Sequence, residues 1–74
     1  MNSHLRVLSV FADGQPHTAD YVFVSLPYER FCGRVCKDLV ADRCLELVGP
    51  GLNYRITEAG RRRLARSAHV GGRR

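Results

Sequence analysis

Three cations in the middle of the chain, Arg30, Arg34 and Lys37, recur at +4 and +3. On a helix that spacing lines side chains along one face. A guanidinium is a planar fork of donors that fits guanine edges or phosphate oxygens two at a time, and a lysine adds a charge or a single donor. The chemistry such a stripe offers is recognition of an anion. It is also the pattern of a solvated helix face, and Glu29 and Asp38 flank it and partly cancel it. A second group of cations, Arg61, Arg62, Arg63, Arg66, Arg73 and Arg74, crowds the C-terminal end with no acid among them. Consecutive arginines on a helix point in different directions, so this cluster suits phosphate contact without sequence reading, or simply a solvated helix end.

Other chemistry has less support. Cys32, Cys36 and Cys44 with His17 or His69 could supply zinc ligands, but no C-x2-C pair is present. Cys36 and Cys44 fall at apolar-looking positions, where cysteine behaves as a small hydrophobe. We expect no metal site and no cofactor. His4, His17 and His69 are scattered and read as surface or capping residues. No nucleophile motif, framed carboxylate pair or Gly-rich phosphate loop occurs, and Gly49-Pro50-Gly51 reads as a hairpin turn. An enzyme is not expected.

The chain has 74 residues, 45% of them apolar and 26% charged, which predicts one small globular domain. A core of that size supplies only about 3–5 kcal/mol net, which favours a binding module over a catalyst with a deep pocket. The longest apolar run is Tyr21 to Val24, far short of a membrane span. The odd cysteine count and the lack of a signal peptide predict a cytoplasmic protein with reduced thiols. Net charge is +5, yet residues 1–60 sum to −1 and residues 61–74 to +6. The body is near neutral, and the basic excess is C-terminal.

The elements that must position these residues follow from spacing. Ser3 reads as the cap of a helix over residues 4–12, with Leu5, Leu8 and Phe11 on one face and Val7 beside them. Asp13-Gly14 and Pro16 end it. Thr18 reads as a second cap with Asp20 in the first turn, and Val22, Phe23 and Leu26 face a core until Pro27. Phe31, Val35 and Leu39, with Cys32, Cys36 and Val40, form the apolar stripe of a third helix. It is predicted to start at Tyr28 or Arg30 and to end at Ala41 or Asp42. Cys44–Val48 and Leu52–Ile56 read as a hairpin. Thr57 caps a last helix, with Glu58 in its first turn and Leu64, with Ala65 or Ala68, packing inward. Residues 1–68 make the domain, and residues 69–74 are expected to form a flexible basic tail.

The order helix, helix, helix, hairpin, helix resembles a winged helix-turn-helix domain. Two stretches carry the resemblance, RVLSVFADGQPHTADYV and LVADRCLELVGPGLNYRITEAGRRRL. The segment YRITEAGRRRL is similar to the strand-to-helix junction of the MarR- and PadR-type bacterial regulators. The resemblance covers roughly residues 4 to 66. Where such domains often carry glycine after the third helix, Asp42-Arg43 stands here, and the Pro27–Cys32 connection is longer than usual. The extra dimerisation helices of MarR-type proteins are not expected in a chain this short.

The resemblance implies an α+β, mainly α fold: three helices, a two-stranded wing hairpin and a C-terminal helix. It implies a small transcriptional regulator, bacterial or phage, that binds double-stranded DNA as a homodimer. Arg30, Arg34 and Lys37 would meet the major groove, and Gly33 would allow close approach. Asn53 and Arg55 would serve the wing. Arg61, Arg62 and Arg63 would add phosphate contacts. The rival reading keeps the scaffold and changes the partner. Tyr21, Phe23 and Tyr28 surround the end of the second helix, and if exposed they would form a protein interface. In that form the chain resembles small phage or mobile-element proteins that bind a host protein as inhibitor or adaptor. No membrane partner is expected.

Overall fold

The computed structural model describes residues 2–72, with side chains over residues 2–67. The elements are α1 (Ser3–Val10), β1 (His17–Thr18), α2 (Ala19–Ser25), α3 (Cys32–Ala41), β2 (Leu45–Val48), β3 (Asn53–Ile56) and α4 (Glu58–Gly72). The fold is α+β, four helices with a three-stranded antiparallel sheet of order β1-β3-β2. The third strand corrects the expectation of a two-stranded hairpin alone. β1 is two residues long and pairs His17 with Tyr54 and Thr18 with Asn53. Of the expected tail, the backbone to Gly72 belongs to α4, while Arg73, Arg74 and the side chains from Ala68 onward are not among the described residues.

Helix α1 is capped by Asn2, not Ser3: the Asn2 Oδ1 accepts a hydrogen bond from the Leu5 N–H at 2.8 Å. Val7, Leu8 and Phe11 are fully buried and Leu5 only half so. Thr18 does cap α2, its Oγ1 accepting from the Tyr21 N–H at 3.1 Å. Val22 is buried and Leu26 packs at the core edge, but Phe23 turns outward and is 54% exposed. The seven residues of α2 leave room for only a narrow inward stripe, and Ala19, Val22 and Leu26 fill it.

Helix α3 begins later than predicted, and the delay changes its first turn. Phe31 is the N-cap residue, makes no side-chain cap, and is 64% exposed. Cys32 takes the inward place instead, in line with the buried Val35, Cys36 and Leu39. The smaller thiol fits where the phenyl ring was expected. These residues meet α1 on one side and the sheet on the other, where Leu45, Tyr54 and Ile56 are buried. Full burial of a side chain such as Leu39 contributes about 1.5–3 kcal/mol.

The hairpin register pairs Leu45 with Ile56 and Leu47 with Tyr54. Leu47 shares the inward face by alternation, but the helices do not cover it and it is 55% exposed. Thr57 opens α4 and ties three elements together. Its Oγ1 donates to the Arg43 carbonyl at 2.6 Å and accepts from the Gly60 N–H at 3.0 Å. Its N–H donates to the Cys44 carbonyl at 3.0 Å.

Arg43 terminates α3 with φ of 64°, a left-handed residue without the freedom of glycine. The Cys44 N–H donates to the Leu39 carbonyl and the Arg43 N–H to the Val40 carbonyl, which closes the helix in a Schellman turn. A Cβ costs roughly 1–2 kcal/mol in that conformation, offset in part by the greater chain entropy of glycine. Arg43→Gly is therefore expected to stabilise the protein by about 1 kcal/mol. By thermal melting, that corresponds to a midpoint about 4–8 °C higher.

Candidate nucleic-acid interface

Helix α3 separates its residues cleanly. Cys32, Val35, Cys36 and Leu39 face the core, and Arg34 and Lys37 face solvent with Arg30 just before the first turn. A Cβ built on Gly33 would meet nothing within 4 Å, so the outer surface between the cations is open. Among the described residues, no ion pair engages Arg30, Arg34 or Lys37.

Both flanking acids have partners on α1, a charged one for Glu29 and an imidazole for Asp38. Glu29 accepts from Arg6 Nε at 2.8 Å and retains only 12% side-chain exposure. The Arg6 guanidinium, then the Ser3 hydroxyl, hold its carboxyl below the ordinary carboxylate range. Asp38 Oδ2 lies 3.3 Å from His4 Nε2. Both acids thus contact α1, and Arg30, Arg34 and Lys37 are exposed.

The remaining candidates are placed differently. Arg55 donates to Glu46 across the hairpin through Nε and Nη2, at 3.1 and 2.9 Å. Asn53 is half-buried, and its Nδ2 donates to the Pro50 carbonyl at 3.4 Å, bracing the turn. Both therefore support the hairpin. On α4, Arg62 lies 3.7 Å from Glu58, and Arg63 lies 3.5 Å from Asp42 and 3.6 Å from Cys44 Sγ. The Arg61 guanidinium lies against Gly14 in the α1–β1 turn. Helix α4 packs on α1 and β3, so its arginines do not extend the α3 stripe.

Of the aromatic candidates, Tyr21 stacks on His17 with ring centroids 4.0 Å apart and an 8° interplanar angle. His17 in turn lies 3.0 Å from Asp13 Oδ2 and against the buried Phe11. Tyr21 therefore ends an aromatic column that rises from the core. Among the described residues Phe23 has no such stacking partner, and Tyr28 is 96% exposed. Val24 and Leu52 are exposed too, and residue patterning did not single them out; Phe31, expected in the core stripe of α3, is exposed as well.

The three thiols are free and buried, and no group of three or more His, Cys, Asp or Glu is placed to hold a metal among the described residues. Burial raises the Cys36 thiol from its ordinary 9.0 to about 11, with Cys32 beside it adding to the shift. Burial, then the Glu29 carboxylate, raises Cys32 as well. Alkylation at pH 8 is expected to run at least about 100-fold slower on the native protein than in denaturant, since it must await opening. The sign of the pH effect follows from the raised folded value. Stability from the neutral Cys36 is full below pH 9.0 and is lost as pH climbs toward 11. A denaturation series over that range checks it.

No helix among the described residues is long and apolar enough to cross a membrane. Comparison with protein-family models, curated proteins and solved structures yields no match.

Proposed function

We propose that this protein is a small winged-helix DNA-binding regulator that presents α3 to the major groove of duplex DNA and acts as a homodimer. The observation that carries this reading is the stripe Arg30, Arg34 and Lys37, unpaired among the described residues, with its neighbouring acids engaged by Arg6 and His4. The element order supports the scaffold: a short strand between the first two helices joins a hairpin that follows the third. The dimer belongs to this reading because one such module reads few base pairs. In this reading the hairpin is the wing, braced internally by Arg55 and Asn53, and the α4 arginines supply generic backbone contact.

The test is binding to a random-sequence duplex titrated from about 50 to about 200 mM salt. Affinity is expected to fall steeply across that range, as displaced counterions require. Absence of binding even at low salt would reject the reading. The rival, a protein-interaction module, would then lead, because Phe23 and Val24 are 54% and 77% exposed on α2 without a described role.

A further inference from the structure

Two large rings stand at the N-terminal end of the cationic helix, outside the core. Tyr28 is 96% exposed and Phe31 64% exposed. Neither position results from a loose loop. The Glu29 N–H donates to the Leu26 carbonyl at 2.9 Å, closing a turn in which Pro27 and Tyr28 are the central residues. Glu29 is then fastened to α1 by Arg6. This braced turn projects Tyr28 outward, and the late start of α3 leaves Phe31 outside the core. Three residues of chain span at most about 11 Å, so both rings lie at the same end of the helix. Arg34 stands one turn from Phe31 on the helix surface, and Arg30 lies between the two rings in sequence.

We propose that Tyr28 and Phe31 stack on nucleobases displaced from the helix, while Arg30, Arg34 and Lys37 hold the adjoining phosphates. This rests on the DNA-binding reading and extends it to a substrate preference. The combination of exposed rings with unbalanced cations fits an anionic polymer with flat apolar faces, because phosphates answer the charge and bases answer the rings. Taking a paired base out of the stack costs more than one ring returns, whereas an already unpaired base costs little. The protein therefore prefers DNA carrying unpaired or easily unstacked bases to a fully paired duplex.

The test uses the full chain and two fluorescent duplexes of one sequence, one fully paired and one with a short unpaired bulge, read by anisotropy at matched salt. The wild type is expected to bind the bulged duplex about tenfold or more tighter. The Tyr28→Ala/Phe31→Ala variant is expected to lose that preference and keep the affinity for paired duplex and its salt dependence. Tyr28→Trp/Phe31→Trp is expected to restore it. An unchanged melting midpoint would show that the alanine variant is folded, since neither ring is in the core. Equal wild-type affinity for the two duplexes, or a preference that survives the alanine pair, would overturn the stacking proposal and leave the DNA reading in place. Failure of the wild type to bind either duplex at low salt would overturn both and assign the rings to a protein partner.

Discussion

Replacing Gly60 with alanine is expected to remove most of the protein's stability. Gly60 is buried in the first turn of α4, and a Cβ there would overlap the Cys44 carbonyl oxygen and press on Ile56 Cγ1 at 2.8 Å. The Cys44 oxygen cannot yield cheaply, because it is backbone and accepts the Thr57 N–H at 3.0 Å. Relieving the overlap means pulling α4 away from the α3–β2 junction. That would also break the bonds by which Thr57 holds the Arg43 carbonyl and the Gly60 N–H. Overpacking costs about 1–3 kcal/mol, and more where backbone must move. A core of this size holds about 3–5 kcal/mol net, so the change consumes most of it. Urea denaturation monitored by circular dichroism checks this, and a midpoint within error of wild type would contradict the close approach.

The Arg30→Ala/Arg34→Ala/Lys37→Ala variant is expected to lose at least about 100-fold in affinity for duplex DNA at physiological salt, if each arginine makes one base contact. Removing three phosphate or groove contacts flattens the slope of log affinity against log salt by roughly three. Stability is expected to change by no more than about 0.5 kcal/mol, because exposed residues without partners contribute little. That combination separates a binding role from a structural one. A variant that keeps wild-type affinity and its salt slope would move DNA contact to the α4 arginines and reject α3 as the reading helix.

Much of this architecture can be read from local pattern. Thr18 and Thr57 mark helix starts by their capping chemistry, and the periodicity of Val35, Cys36 and Leu39 marks the inner face of α3. The cationic stripe follows from the same periodicity. Features set by distant partners were not legible. Strand β1 is two residues long and exists only because β3 lies alongside, so it has no periodicity of its own. Phe31 looked like the first core residue of α3, but no Ser, Thr, Asp or Asn lies there to fix the start. The choice between Phe31 and Cys32 fell to the space left by α1 and the sheet. Arg43 hid a left-handed helix end, since pattern looks there for glycine or asparagine. The free state of the stripe was hidden in the same way. Glu29 and Asp38 flank the cations in sequence, and the residues that draw them off, Arg6 and His4, are 23 and 34 positions away.

The separation of the two faces of α3 has an evolutionary corollary. Among the described residues no ion pair engages positions 30, 33, 34 and 37, and a Cβ at 33 would meet no neighbour within 4 Å. Under the proposed function, selection acts on them through the ligand and barely through folding. A library randomised at these sites, with proline excluded, is expected to give mostly folded members, as measured by protease resistance on a display platform. Specificity is therefore able to drift or be re-engineered on a fixed scaffold, even though that scaffold tolerates almost no change at Gly60.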